Sequence, residues 1–168
     1  LLQIWILLLL ISLLTPRTIF NTAPATGGDT ASHFYPLYTL VKQGLPNFSL
    51  RVWNPGNLMG EPHFLHYFPG PYLIMAFLSL FMPLGLAFNL GTILPLFAFP
   101  VCVLLGFRGM GYKQHTGFLA ALASFLYVFN ESHSMWGGNA QSLLAGQFAH
   151  MYALDFLFLF LGAIGWEL

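Results

Sequence analysis

The sequence predicts an all-α, polytopic membrane protein with about four transmembrane helices and in-plane helices in a long external loop. Hydrophobic residues make up 57% of the chain, and charged residues make up only 6%. A water-soluble domain carries about 25% charged residues, so this composition excludes an ordinary soluble protein. The apolar residues form long runs that are separated by polar, proline-bearing stretches. Long uncharged runs of this kind are typical of membrane-spanning helices.

The first apolar run predicts the first helix, over residues 1–20. Residues 1–14 contain no charge, and Thr15-Pro16-Arg17 closes the run. No basic segment precedes it and no small-residue cleavage site follows it, which favours a membrane helix over a signal peptide. Because a span needs about 20 apolar residues, we expect the chain to be an N-terminal fragment of a longer polytopic protein.

Residues 21–86 form a long polar loop that we expect outside the membrane. Four apolar side chains within it share one helical face, namely Phe34, Leu37, Tyr38 and Val41. This periodicity predicts an amphipathic helix in the membrane interface. The later stretch 71–86 is bounded and broken by prolines and by Gly85, and it suits an interfacial or re-entrant helix better than a span. A crossing at 71–86 remains the alternative.

Residues 87–168 carry three further transmembrane helices and a second external loop. The helices are predicted over 87–107, 116–130 and 148–165, and the loop over 130–147. Arg108 and Lys113 make a short basic turn after the first of these helices. Short basic loops tend to stay in the cytoplasm, so both polar loops are expected to face outside. The whole of 1–168 is then a single transmembrane domain.

An ordered series of short motifs in the first loop resembles a known family pattern. The motifs are Gly28-Asp29-Thr30-Ala31-Ser32-His33, Tyr35-Pro36, Gly44-Leu45-Pro46, Trp53-Asn54-Pro55, Gly60-Glu61-Pro62 and Pro69-Gly70-Pro71-Tyr72. In this order they resemble the first external loop of C-type (GT-C) membrane glycosyltransferases. More narrowly, they resemble the 6-pyruvoyl-tetrahydropterin synthase-related membrane proteins and the broader YfhO-like group.

The resemblance implies a transfer reaction at the outer face of the plasma membrane of a prokaryote. Such enzymes take a sugar from a polyprenyl-phosphate donor, and their first external loop carries an essential acidic residue. The resemblance places Asp29 at that position and Glu131 near a second acidic position. The second loop reads Asn130-Glu131-Ser132-His133 rather than Asp-x-Asp. The cofactor therefore stays open, with a divalent metal as the candidate.

Asp29 is the candidate catalytic residue. It follows Gly27 and Gly28, which allow a sharp backbone turn. A carboxylate at this place can take the proton of an acceptor hydroxyl, or it can hold a cation beside the lipid phosphate. Because Asp also favours the N-cap of a helix, a structural role is the alternative. His33 follows four residues later, on the same helical face, and is a candidate substrate-binding residue.

A second cluster of candidate substrate-binding residues lies further along the first loop. It consists of Glu61, His63, His66 and Tyr67. These side chains suit the polar rim of a pocket for a lipid-linked sugar, and ordinary interfacial histidines are the alternative. Zinc is disfavoured because a third ligand and an i, i+4 histidine pair are lacking. Arg51 is a candidate substrate-binding residue that could neutralise the donor phosphate, as could Lys42.

The remaining candidates lie in the second loop and in the last apolar run. Glu131 and His133 belong to the second external loop, where Glu131 could face Asp29; a solvated loop carboxylate is the alternative. Asp155 is an intramembrane acid, and such residues usually face a cavity or a partner because they are costly in an apolar setting. Together with the proline-broken 87–107 helix, Asp155 also fits a transporter-like protein or a non-catalytic membrane subunit.

The charge balance bounds the partners. Five basic and five acidic residues give a formal net charge of zero, and no basic patch is visible, so we expect no nucleic acid. The expected partners are membrane lipid and the lipid-linked sugar donor, with other membrane subunits if the chain is part of a complex.

Overall fold

The computed structural model describes residues 16–56, 59–131 and 137–167. Across these residues the chain is almost entirely helical, apart from one short antiparallel hairpin. The chain divides into two compact units, with a boundary between Gly91 and Thr92. We call the described residues up to Gly91 the loop unit and those from Thr92 onward the helical unit. Most of the first predicted helix lies outside the described residues.

Short helices and the hairpin make up the loop unit. Its elements are α1 (Pro16–Ile19), α2 (Thr30–Thr39), β1 (Trp53–Asn54), β2 (Glu61–Pro62) and α3 (Gly70–Leu78). A π turn at Leu40–Gly44 and a 3-10 turn at Leu45–Asn47 extend α2, and a 3-10 turn at His63–Leu65 follows β2. The prediction of an all-α chain therefore holds for the described residues except at this hairpin.

The core of the loop unit lies where α2 meets α3. Leu37 and Leu40, at the end of α2, are fully buried, as are Tyr72 and Met75 of α3. Burying an aliphatic or aromatic side chain of this size stabilises a fold by about 1.5–3 kcal/mol. Part of the apolar face predicted for α2 is thus covered by protein, because α3 presents an apolar face of its own. The placement of α2 in the membrane interface stays a prediction.

The beginning of the loop unit is fastened to the first turns of α4 (Leu84–Gly109). The Asn89 side chain donates two hydrogen bonds to backbone carbonyls and accepts one from a backbone N–H, all within residues 21–25, at 2.7–3.0 Å. Gly85 lies directly against the backbone of Thr22, where a Cβ would collide. Because buried amide groups need such partners, Asn89 fixes the path that residues 21–25 take after α1.

Two helical segments in the described parts of the chain are long and apolar enough to cross a membrane. The first is α4, which continues through Pro95 and Pro100. The second runs over Ala140–Trp166. It comprises α6 (Ala140–Ser142), a π turn at Leu143–Gln147 and α7 (Phe148–Glu167). The prediction that prolines break the 87–107 helix is therefore wrong, whereas its ability to span is retained.

Other predicted spans and loops differ from the structure in length. The helix α5 (Gln114–Val128) has 15 residues, about 22 Å at 1.5 Å per residue, against an apolar bilayer core of about 30 Å. A four-crossing architecture therefore remains a proposal. The helix α3 has nine residues, eight of them within the stretch 71–86, and its length of about 14 Å is too short to cross alone. The second loop is shorter than predicted because helix resumes at Ala140. The resumed helix bends at Gly146, where φ is 114°.

Glycines bring α4 and α7 into close contact within the helical unit. A Cβ on Gly106 would lie 2.6 Å from the Phe158 carbonyl oxygen, and a Cβ on Gly162 would lie 2.9 Å from the Gly106 Cα. Gly109 and Gly165 meet the opposite helix in the same manner. Small residues at such positions are typical of helix pairs in membranes, where close backbone approach replaces hydrophobic driving force. We call these four residues the glycine seam.

Candidate functional site

A cleft of about 650 Å³ lies within the loop unit. Five residues predicted to bind substrate line it, namely His33, Glu61, His63, His66 and Tyr67. Further lining residues are Ser32, Tyr35, Pro36, Asn54, Gly56 and Pro62. Its volume falls within the roughly 300–1,000 Å³ that is typical of small-molecule sites. The structure thus brings His33 together with the second predicted cluster, whereas Asp29 lies outside the lining.

The hairpin sets one wall of the cleft. Trp53 pairs with Pro62 and Asn54 with Glu61 across the two strands. Gly60 turns the chain with φ of 82°, and a Cβ there would lie 2.5 Å from the Trp53 indole nitrogen. A residue with a side chain would be strained at this φ and would displace the indole. The Gly60-Glu61-Pro62 motif therefore holds Glu61 opposite Asn54.

Glu61 and His63 form a hydrogen-bonded pair on this wall. The His63 Nδ1 lies 3.1 Å from the Glu61 Oε1, and the Asn54 Nδ2 lies 3.4 Å from the same oxygen. Burial lowers the pKa of His63, and the Glu61 carboxylate offsets part of this effect. A neutral His63 then donates its Nδ1–H to Glu61, which leaves Nε2 as an acceptor. The Nε2 atom is buried and has no hydrogen-bond partner.

A histidine between two tyrosines forms a second polar group. The Tyr72 hydroxyl lies 2.7 Å from the His33 Nδ1, and the Tyr67 hydroxyl lies 3.4 Å from it. Burial raises the pKa of Tyr72, so we assign the short bond to a phenol that donates to His33. Burial and the carboxylates of Asp29 and Glu61 raise the pKa of Tyr67. Both phenols are therefore uncharged donors at neutral pH.

Asp29 lies at the start of α2 and is not among the residues that line the cleft; its carboxylate contributes to the raised pKa of the lining residue Tyr67. Gly27 and Gly28 before it have φ of 139° and 50°, which confirms the predicted sharp turn. Asp29 occupies the N-cap position, but its carboxylate makes no capping hydrogen bond. Instead its backbone carbonyl accepts a 2.7 Å hydrogen bond from the Ser32 hydroxyl. The exposed carboxylate is therefore not committed to the helix cap that was the alternative to catalysis.

The comparison with protein families gives one match. The profile of the 6-pyruvoyl-tetrahydropterin synthase related domain, described as a membrane protein, matches residues 65–167. This is more than half of the chain. The chain belongs to this family. No curated protein and no solved structure matches it.

Membership in this membrane-protein family confirms the narrower part of the predicted resemblance. The match covers α3 and both helices that could cross a membrane. It begins at residue 65, so it includes His66, Tyr67 and Tyr72 but not Glu61 or His63. The family match therefore reaches one side of the cleft, and the rest of the cleft comes from the segment before it.

The other candidate residues lie outside the cleft lining. Arg51 is exposed in the loop unit and is not among the lining residues. Glu131 is exposed in the helical unit, so its pairing with Asp29 of the loop unit stays a prediction. His133 lies outside the described residues. Within the described chain, no group of three or more His, Cys, Asp or Glu is placed to hold a metal ion.

Asp155 is a buried acid in α7, within the second segment that is long and apolar enough to span. Only 5% of the residue is exposed, and its Oδ1 has no hydrogen-bond partner. A buried carboxylate oxygen without a partner is costly. The burial is consistent with the expectation that Asp155 faces a cavity or a partner, but within the described residues its Oδ1 has neither a donor nor an assigned ligand.

Two residues of the site were not predicted from the sequence. Asn54 belongs to the Trp53-Asn54-Pro55 motif, yet its place opposite Glu61 follows from strand pairing. Tyr72 enters the sequence analysis only as the last residue of the Pro69-Gly70-Pro71-Tyr72 motif, whereas the structure bonds its hydroxyl to His33, 39 residues earlier. A tyrosine that opens an apolar helix is a usable signal, because a buried phenol generally finds a hydrogen-bond partner.

Proposed function

We propose that the chain forms part of a membrane glycosyltransferase that takes a sugar from a polyprenyl-phosphate donor at the outer face of the membrane. The observation that carries this proposal is the cleft of the loop unit. It combines a carboxylate, histidines and tyrosines in a volume of about 650 Å³. Carboxylates and imidazoles hydrogen-bond sugar hydroxyls, and tyrosine rings cover sugar faces.

The position of the cleft along the chain also supports the proposal. Residues 21–25 are bonded to the first turns of α4. The early part of the loop unit is therefore held at the N-terminal end of a helix that is long and apolar enough to span the membrane. A polyprenyl-phosphate donor keeps its lipid in the bilayer and its sugar in the interface. The site for such a sugar belongs in a polar unit attached to the end of a membrane helix.

In the proposed reaction, an acceptor hydroxyl oxygen attacks the anomeric carbon of the donor sugar. The bond from that carbon to the phosphate oxygen breaks, and its electron pair leaves with the polyprenyl phosphate. Asp29 takes the hydroxyl proton or orients the hydroxyl. Glu61, His63 and Tyr67 hold the sugar. Arg51 or Lys42 neutralises the phosphate charge that develops on the leaving group.

The setting of the reaction is part of the proposal. The plasma membrane of a prokaryote supplies polyprenyl-phosphate sugars at its outer face. Four crossings, with the first within residues 1–20 and the third at α5, would place both polar loops on that face. A divalent cation between Asp29 and the donor phosphate is compatible with this arrangement, since a carboxylate and phosphate oxygens are ligands that Mg²⁺ prefers.

Sugar transfer by the full-length protein tests the proposal. The assay supplies a mixed pool of polyprenyl-phosphate sugars and compares the wild type with Asp29→Asn, which keeps the side-chain size and removes the charge. Glu167→Gln is the matched control, because it also removes one carboxylate and the proposal assigns Glu167 no role. Transfer that disappears in folded Asp29→Asn and persists in Glu167→Gln is the expected result. Equal transfer by Asp29→Asn would remove Asp29 from the mechanism, and no transfer by the wild type would oppose the whole proposal.

A transporter-like protein or a non-catalytic subunit is the second candidate. The orphaned Asp155 Oδ1 favours it, and so does the bend at Gly146 within the second spanning segment. Broken helices and buried acids are typical of transport pathways. This candidate predicts gradient-driven solute uptake that Asp155→Asn abolishes and Asp29→Asn leaves intact. The opposite pattern of sensitivity favours the transferase.

A further inference from the structure

The loop that follows α2 exposes three apolar side chains. Phe48 is 100% exposed, and Leu45 and Leu50 are 40% and 39% exposed. We call these three residues the apolar tip. Exposed large apolar groups that cluster in this way usually mark a surface that something else covers. They lie outside the lining of the cleft, so the proposed transfer reaction does not account for them.

The backbone holds the apolar tip in this exposed arrangement. The Ser49 N–H donates to the Gly44 carbonyl at 3.0 Å, and the Phe48 N–H donates to the Leu45 carbonyl at 3.1 Å. Gly44 permits this closure, because a Cβ there would lie 2.7 Å from the Ser49 carbonyl oxygen. The tip is thus a closed turn whose apolar side chains are directed away from the core.

Phe48 adopts an unfavourable backbone conformation. Its φ and ψ are 50° and 36°, and no other non-glycine residue in the described chain has a positive φ. The left-handed region costs a residue with a side chain about 1–2 kcal/mol. A phenylalanine that combines this strain with complete exposure is disfavoured in water. Transfer of its ring to an apolar phase offsets both costs, at about 25 cal/mol per Å² of buried surface.

Two cations flank the tip. Lys42 precedes it and Arg51 follows it, and both are exposed. Neither forms an ion pair within the described residues. An apolar group between basic residues is typical of segments that enter the interface of a bilayer, where anionic headgroups attract the cations and the apolar side chains reach the acyl boundary.

We propose that Leu45, Phe48 and Leu50 insert into the outer membrane interface, and that Lys42 and Arg51 bind anionic lipid headgroups there. The loop unit ends within the first turns of α4, a helix long and apolar enough to span the membrane, and the family is one of membrane proteins, so a bilayer surface is available to the tip. The insertion anchors the loop unit at a second place besides α4. The insertion uses no residue of the cleft lining, but it shares Lys42 and Arg51 with the sugar-transfer proposal, which gives either of them to the donor phosphate. The measurement that tests the insertion contains no sugar donor, so its outcome is separate from that of the transfer assay.

Spin-label accessibility in nanodiscs tests the insertion. The sequence has one cysteine, Cys102, so Cys102→Ala gives a background for single labels. The label is placed at Phe48→Cys in the full-length protein, and Ala31→Cys, an exposed position on α2, is the reference. Relaxation by lipid-soluble oxygen and by a water-soluble nickel chelate is measured in phosphatidylcholine discs with and without phosphatidylglycerol. Leu50→Cys repeats the measurement if Phe48→Cys does not fold.

The expected result is a several-fold higher oxygen-to-nickel ratio at position 48 than at position 31. Phosphatidylglycerol should raise the ratio at 48, and the pair Lys42→Gln and Arg51→Gln should abolish that rise. Access of the nickel chelate to position 48 would overturn the insertion, because the tip would then lie in water. A label reached by neither reagent would overturn it also, because protein would then cover the tip. If neither phosphatidylglycerol nor the Lys42→Gln and Arg51→Gln changes alter the oxygen-to-nickel ratio at position 48, the proposed headgroup contacts are wrong.

Discussion

The two units of this chain differ in the contacts that hold them together. In the loop unit, polar side chains that are distant in sequence are bonded to one another, as in Asn54 with Glu61 and Tyr72 with His33. In the helical unit, helices approach through the glycine seam, and the buried Asp155 retains an orphaned oxygen. The bonded polar groups of the loop unit support the proposal of a polar ligand site there, whereas the helical unit relies on close helix packing. Among the described residues, each unit leaves one buried polar side-chain atom without a partner, the His63 Nε2 in the loop unit and the Asp155 Oδ1 in the helical unit.

The largest effect is expected from filling the glycine seam. Gly106→Val places a side chain against the Phe158 carbonyl, which is backbone and cannot move aside. Overpacking of this kind costs about 1–3 kcal/mol, and we expect the upper end of that range. Equilibrium unfolding in mixed micelles measures the free energy of unfolding. Gly70→Ala is the control, since nothing lies within 4 Å of a Cβ at that position. An unchanged free energy for Gly106→Val would mean that α4 and α7 do not pack as described.

Removing the orphaned acid should stabilise the helical unit. Asp155→Val eliminates a buried carboxylate oxygen that lacks a partner, and such a group costs about 1–3 kcal/mol. Allowing for imperfect repacking, we expect unfolding in mixed micelles to require about 1–2 kcal/mol more. Destabilisation by Asp155→Val would show instead that the carboxylate has a bound partner, and it would favour the transporter-like alternative.

A smaller loss is expected from the tyrosine that holds His33. Tyr72→Phe removes the 2.7 Å hydrogen bond and keeps the ring. A buried hydrogen bond contributes about 1 kcal/mol, so the free energy of unfolding should fall by about that amount. Tyr38→Phe is the control, because it removes an exposed phenol of the same unit. Equal effects of the two changes would contradict a specific role for the Tyr72 hydroxyl.

Part of this contrast is predictable from the sequence, and part is not. Composition and run length predict α4 to within a few residues, because an uncharged run of that length has few alternatives. The sequence also groups Glu61, His63 and Tyr67 by their chemistry, and all three line the cleft. The hairpin is not predictable from the sequence, because strands of two residues depend on tertiary contacts such as the packing of the Trp53 indole against Gly60. The lack of a hydrogen-bond partner at the Asp155 Oδ1 is not predictable for the same reason, because tertiary packing sets the partners of a buried side chain.

The smallest expected effect is the contribution of His63 to the pH dependence of the free energy of unfolding. Burial disfavours the charged ring and lowers the pKa of His63 below its ordinary value of about 6.5. The stabilising contribution is therefore fully present above the unfolded pKa and is lost as pH falls through the lower folded pKa. His63→Gln should remove this part of the loss of stability on acidification, as measured by thermal unfolding. His66→Gln, a change at the neighbouring exposed histidine, should retain it; the same slope in wild type and His63→Gln would refute the assignment.

The most direct test of the account is to locate the donor sugar on the protein. A polyprenyl-phosphate sugar with a photoreactive group on its sugar ring is irradiated with the full-length protein in nanodiscs, and the modified peptides are identified by mass spectrometry. The account predicts modification within 32–36, 54–56 and 61–67, the segments that contribute residues to the cleft lining, and competition by unmodified donor. Modification around Asp155 instead, or none that the unmodified donor displaces, would contradict the claim that the cleft of the loop unit holds the sugar.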